Sequence, residues 1–144
     1  MAAVVLAAGS STRMGRNKLL LDLGGETMVR RGVRHVAATA DAIVVVLADM
    51  PFVTADMIAT LVARYRETAA PLVASHYGGV QAPPTLYDRA LFAELLSIPG
   101  ERCAKQVVRR HEQEAALVAW PETALRDIDV PADCEGIRAD LTKG

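Results

Sequence analysis

The apolar run Ala2-Ala3-Val4-Val5-Leu6 passes without a polar residue into Ala7-Ala8-Gly9-Ser10-Ser11-Thr12-Arg13-Met14-Gly15-Arg16-Asn17-Lys18. An apolar segment without period-two alternation suits a strand covered on both faces, as inside a parallel sheet flanked by helices. Similar runs occur at 42–48 (Ala-Ile-Val-Val-Val-Leu-Ala), near 72–75 and near 115–120. Helical patterns lie between them: 26–39 after the Gly24-Gly25 break, 54–68 with Thr54 as its cap and Asp56 in its first turn, 88–96 and 101–111. The alternation β-α-β-α-β predicts an α/β fold, a Rossmann-like three-layer α/β/α arrangement around a mainly parallel sheet.

Length matches one domain spanning residues 1–144, with no repeat, low-complexity tract or linker. Pro83-Pro84 and Pro99-Gly100 are read as turns, and Pro131 as the first position of a final helix over 131–141. A formal net charge of −1 excludes a generally basic nucleic-acid binder. Cys103 and Cys134 match no metal spacing or disulfide framework and are expected as reduced thiols. The apolar start is too short for a signal segment, and no stretch is long enough to cross a bilayer. The expectation is a soluble, cytoplasmic protein with neither nucleic acid nor membrane as partner.

In open α/β sheets, ligands bind beyond the carboxyl ends of the strands, so the segment after the first strand is the expected site of chemistry. Gly9 and Gly15 let the backbone bend towards a phosphate, while the amides and the hydroxyls of Ser10, Ser11 and Thr12 can donate hydrogen bonds. Arg13 and Lys18 add the charge that a polyphosphate requires. This is not a Walker loop, because Lys18 stands three residues after Gly15, and the Gly-x-Gly-x-x-Gly dinucleotide fingerprint is absent. The two glycines alone would suit an ordinary strand-to-helix turn; the two cations favour a phosphate site.

Asp49, in Leu47-Ala48-Asp49-Met50-Pro51, follows the second apolar run. A carboxylate there would face the same crevice and could hold Mg²⁺ against phosphates, although an Asp that merely ends a strand is the competing explanation. Asp127 and Asp129 flank Ile128, so in extended chain both point the same way. Either could complete a Mg²⁺ site with Asp49, and helix capping or solvation accounts for them equally well.

The remaining polar candidates read as structural. His35 and His111 lie in or at the end of helical patterns, and His76, before Gly78-Gly79, is read as a loop histidine. Nothing in the sequence argues for the base and lowered pKa that would make Cys103 a nucleophile. Trp120 is expected at the core or its rim. Met28, Val29, Val33 and Val36 approximate one core stripe, and Ile58, Leu61, Val62 and Tyr65 another. Arg30, Arg31 and Arg34 are expected on a solvated face.

Leu6–Lys18 resembles the Leu-Ala-Ala-Gly-x-Ser-x-Arg-Met-Gly-x-x-Lys signature of the MobA-like nucleotidyltransferases, and Leu47–Pro51 resembles their metal-aspartate motif. Pro84-Thr85-Leu86-Tyr87, the stretch 95–105 and Asp127-Ile128-Asp129-Val130-Pro131 are similar to the molybdenum cofactor cytidylyltransferase branch. The resemblance implies a nucleotide-diphospho-sugar-transferase-like fold and Mg²⁺-dependent transfer of CMP from CTP to the terminal phosphate of molybdopterin cofactor, with release of pyrophosphate. It assigns Leu6, Ala7, Ala8, Gly9, Ser10, Ser11, Arg13, Gly15 and Lys18 to nucleotide binding. Arg13 and Lys18 then serve the triphosphate and leaving pyrophosphate, and Asp49 and Asp129 the metal. A molybdenum hydroxylase is the implied client. The alternatives are use of GTP or another phosphorylated acceptor, and a catalytically weak module that only binds nucleotide or cofactor during maturation.

Two departures stand out. Relatives have further strand and helix units before the metal-aspartate strand, whereas Asp41 leads directly into 43–48, so a βαβ-sized segment of roughly 30 residues or more is missing near 40–42. Its loss is expected to leave apolar sheet surface needing cover. On the acceptor side, Ala82 replaces a common Gly, and Glu101-Arg102-Cys103 replaces a Gly-Asp-x-Gly-like pattern.

Overall fold

The computed structural model describes residues 2–7, 28–47, 52–98 and 103–125. In chain order these form β1 (Ala2–Ala7), α1 (Met28–Val36), β2 (Ala42–Leu47), α2 (Ala55–Thr68), β3 (Leu72–Tyr77), β4 (Val80–Asp88), α3 (Phe92–Ser97), α4 (Cys103–Arg110) and β5 (Ala116–Trp120). Single 3₁₀ turns occupy Arg89–Leu91, Glu112–Glu114 and Glu122–Leu125. The final helix expected over 131–141 and the turn at Pro99-Gly100 lie outside the described residues.

Among the described residues one five-stranded sheet carries the fold in the order β1-β2-β4-β3-β5. β1 with β2 and β3 with β5 pair in parallel, whereas β4 pairs antiparallel with both β2 and β3. Four strands therefore point one way and β4 runs against them. Among the described residues β1 is an edge strand.

The apolar runs alternate between two buried faces. From β2, Ile43 and Val45 join Leu72, Tyr87, Phe92 and Val107 on the side of α1, α3 and α4. Ala42, Val44 and Val46 join Leu61, Val73 and Leu86 on the side of α2. Both faces being covered explains why these strands lack polar alternation. Ile43, Leu61, Leu72 and Leu86 are all fully buried, each contributing about 1.5–3 kcal/mol relative to exposure. The stripe Ile58, Leu61, Val62 and Tyr65 packs on the second face, and Val33 and Val36 on the first, as their helical spacing implied.

Local chemistry sets the helix ends. Thr54 Oγ1 accepts the Met57 N–H at 3.2 Å, capping α2, and Ala69 closes it in the left-handed region at φ 52° with its N–H on Tyr65 O. The short α1–β2 junction is held differently. Arg89 donates to the carbonyls of Ala37 at 2.8 Å and Ala40 at 3.1 Å, and its own N–H reaches Asp41 O at 2.8 Å. One guanidinium thus serves carbonyls that a helix C-terminus leaves without partners. Arg30 is half-buried and donates to Leu96 O, tying α1 to α3 rather than joining the solvated face expected for it; Arg31 and Arg34 are exposed.

β4 corrects the sequence reading. Pro83-Pro84, taken as a turn, lies inside this strand with a cis peptide between the two prolines. The real turn is Gly78-Gly79, both at positive φ (56° and 91°), in a two-residue hairpin closed by Tyr77↔Val80. A Cβ on Gly78 would meet the Glu122 side chain at 3.2–3.3 Å, a second reason for glycine there. His76, read as a loop residue, is consequently within β3, which runs two residues past the expected end at Ser75. The helix expected over 88–96 is divided, because Asp88 ends β4 and accepts the Ala90 N–H at 2.8 Å to start the 3₁₀ turn before α3.

Candidate active site

β1, β2, β3 and β5 deliver their carboxyl ends, Ala7, Leu47, Tyr77 and Trp120, to one edge of the sheet, and the register pairs Ala7↔Leu47 and Tyr77↔Trp120. Of the sequence-predicted nucleotide-binding residues, Leu6 and Ala7 are the last two of β1, paired with Val46 and Leu47. Ala8, Gly9, Ser10, Ser11, Arg13, Gly15 and Lys18 lie outside the described residues, as do Asp49, Asp127 and Asp129. In sequence, Gly9 follows Ala7 and Asp49 follows Leu47 by two residues, and Ala7 and Leu47 are paired.

The other half of this edge holds a polar device that the sequence reading missed. Two prolines in β4 have no N–H for the ladder, and the β3–β4 register shifts between Ala74 and Ser75. β3 side chains serve their carbonyls: Ser75 Oγ donates to Pro84 O at 2.6 Å and Tyr77 Oη to Pro83 O at 2.7 Å. Trp120 Nε1 donates in turn to Ser75 Oγ at 2.9 Å, so Ser75, fully buried, is satisfied as donor and acceptor. Met57, Tyr77, Ala82 and Trp120 pack around this network. Gly78-Gly79 followed by Val80-Gln81-Ala82 and Thr85-Leu86-Tyr87 was the available signal for the second hairpin strand.

Titratable groups elsewhere are tied into structure. Tyr65 Oη hydrogen-bonds Asp88, and that bond, followed by burial and the carboxylate charge, pushes the phenol up to about 12. His111 Nε2 lies 2.7 Å from Glu94 Oε2, and Arg110 donates to Glu94 Oε1 at 3.1 Å. The His111 hydrogen bond, with help from Arg110, holds the Glu94 carboxyl below its ordinary range. His111 is thus structural, joining α4's end to α3. Among the described residues no group of three or more His, Cys, Asp or Glu side chains is placed to hold a metal ion. The candidate donors are the carboxylates Asp49, Asp127 and Asp129, hard oxygen ligands that suit Mg²⁺ or Mn²⁺. No helix among the described residues is long and apolar enough to cross a membrane.

The chain is 25% identical to the purine catabolism protein PucB of Bacillus subtilis (strain 168) over 200 aligned positions that cover 96% of both chains. With 144 residues here, at least 56 of those positions (200 less 144) are gaps in this chain. A probable molybdenum cofactor guanylyltransferase of Synechococcus elongatus (strain ATCC 33912 / PCC 7942 / FACHB-805) is 50% identical over 42 residues, 29% of this chain and 22% of that one. Among solved structures, Rv0371c from Mycobacterium tuberculosis H37Rv shares the fold with a TM-score of 0.72 at 19% identity, covering 94% of this chain and 95% of its own. A complex of Rv0371c with manganese has a TM-score of 0.60 at 19% identity, covering 94% and 96%. The fold is nucleotide-sugar-transferase-like. The MobA-like NTP transferase domain matches residues 3–39 and 29–115, more than half of the length, so the chain belongs to that family and is a nucleotidyltransferase.

Proposed function

We propose that this chain transfers CMP from CTP to the terminal phosphate of molybdopterin cofactor and releases pyrophosphate. The observation that carries the reading is the parallel register Ala7↔Leu47, from which the Gly9–Lys18 motif and Asp49 each begin within two residues. In the reaction, an acceptor phosphate oxygen forms a bond to the α-phosphorus of CTP. The bridging bond to the β-phosphate breaks, and its electron pair leaves with pyrophosphate. Such a transfer needs positioning and charge neutralisation rather than a protein nucleophile. Backbone amides of residues 7–9 with Ser10 and Ser11 hold the nucleotide, Gly15 keeps the loop close to it, and Arg13 and Lys18 offset the charge developing on pyrophosphate. Asp49 and Asp129 would hold Mg²⁺, which when bound neutralises phosphate charge and polarises the reacting phosphorus. A molybdenum hydroxylase is the client for the product, and a cytoplasmic location accords with that role.

A second reading, GTP as donor, is favoured by the 50% identity over 42 residues to the Synechococcus guanylyltransferase. We further propose one domain over residues 1–144, internally shortened near 40–42. Support comes from the two family matches, which meet at 29–39, and from the gaps against PucB. Incubation of the protein with molybdopterin cofactor, Mg²⁺ and CTP or GTP, followed by separation of the dinucleotide products, tests the reading. CTP is expected to give product, and Lys18→Ala and Asp49→Ala to lower the rate by at least about two orders of magnitude. Product from GTP alone would replace the first reading with the second. Equal rates for wild type and both variants would remove the assigned roles.

A further inference from the structure

We infer that His76 and Gln81 form the acceptor-recognition pair of this chain, contacting the phosphorylated acceptor rather than the nucleotide; the inference rests on the transferase reading above. His76 on β3 is directly opposite Gln81 on β4 and beside Ala119 on β5. Residues paired across a ladder share a face. Leu72 and Tyr87 identify that face as the side of α1, α3 and α4, whereas Val73 and Tyr77 lie on the α2 side, so alternation puts His76 on the first. At the carboxyl edge this face is open among the described residues. Leu117, two residues before Ala119 and on the same side, is 51% exposed, Ala119 is exposed, and His76 and Gln81 are half-buried. Neither the imidazole nor the amide hydrogen-bonds another described residue, in contrast to Ser75, Tyr77 and Trp120 next to them on the other face. Two polar side chains beside an exposed apolar strip suit a ligand that combines a phosphate with a flat or apolar body.

Register sets the pair's distance from the nucleotide motifs. Val45 is level with Thr85 and Thr85 with Ala74, so His76 is level with Leu47, two strands away. At about 4.8 Å per strand that is about 10 Å from the end of β2, and about 14 Å from the end of β1. In-line displacement requires the attacking oxygen and leaving pyrophosphate to lie on opposite sides of the α-phosphorus. With the triphosphate loop after β1 and Asp49 after β2, the acceptor arrives from the β4–β3 side, where His76 and Gln81 stand.

The test is binding and turnover of His76→Ala, His76→Gln and Gln81→Ala, using molybdopterin cofactor and CTP as separate probes and fluorescence of Trp120, the only tryptophan, as a readout of binding. Losing a hydrogen bond to a charged oxygen is expected to raise the acceptor Kd and KM by about tenfold or more, with CTP constants within twofold and partial recovery in His76→Gln. Unchanged acceptor constants, or an equal rise for CTP, would overturn the inference. Unaltered thermal unfolding of Gln81→Ala excludes a folding defect as the cause. If wild type binds molybdopterin cofactor through His76 yet forms no dinucleotide, the transferase reading fails, and with it the acceptor role of the pair, which then marks a cofactor-binding site.

Discussion

Ser75→Ala probes the network that lets two consecutive prolines sit inside β4. Ser75 is fully buried, receives the Trp120 indole N–H at 2.9 Å and donates to Pro84 O at 2.6 Å. Removing the hydroxyl deprives two groups at once, each of which costs about 1–3 kcal/mol when buried without a partner. Trp120 is only half-buried, so its N–H belongs at the low end, and the total is about 2–3 kcal/mol. For a domain of this size that corresponds to a fall in Tm of about 5–10 °C. Urea unfolding followed by Trp120 fluorescence and by far-UV circular dichroism measures it, with coincident transitions as the check on two-state behaviour. The double variant Ser75→Ala/Trp120→Phe should cost less than the two single variants together, since the phenylalanine has no N–H to strand. A loss below about 0.5 kcal/mol at an unchanged m-value would refute the claim that this hydroxyl replaces the missing ladder bonds.

Two other perturbations follow from the packing. Arg89→Ala removes both guanidinium bonds to the α1–β2 junction and should cost about 1–2 kcal/mol, with amide hydrogen exchange accelerated first in residues 37–41; protection there equal to wild type would contradict the tie. Glu94 has its folded pKa lowered by His111 and Arg110, so its contribution is complete above the ordinary value of 4.5 and is lost as pH falls through the lowered one. Glu94→Gln should therefore flatten the acid limb of stability against pH below about 4.5 and leave the slope near neutrality unaltered, measured by urea midpoints across pH.

Much of this molecule follows from local pattern. The apolar runs at 2–7 and 42–47 became parallel neighbours, and residues 42–46 are covered on both sides, because only two-sided burial tolerates such a run. Thr54 capped α2, and the stripe on α2 and Val33 and Val36 of α1 turned inward, since a cap and a 3.6-residue period are properties of a few adjacent residues. The family signature at Leu6–Lys18 was legible for a related reason, as its glycines, hydroxyls and cations stand within one short stretch of sequence.

Tertiary structure alone decided the rest. Pro83-Pro84 reads as a break when only its neighbours in sequence are considered. It becomes a strand because Ser75 and Tyr77 hold its carbonyls, and Val45 and Ala74 flank Thr85 one residue on. The insertion of β4 between β2 and β3 set His76 level with Leu47 and opposite Gln81, a juxtaposition no window of sequence contains. Arg89, seen alone, is one more surface cation, yet it serves carbonyls about fifty residues earlier. Periodicity, caps and loop chemistry depend on residues within a turn or two of each other, so the chain determines them by itself. Strand order, register and the partners of buried polar groups depend on which distant segments meet, and that is settled only when both faces of the sheet are packed.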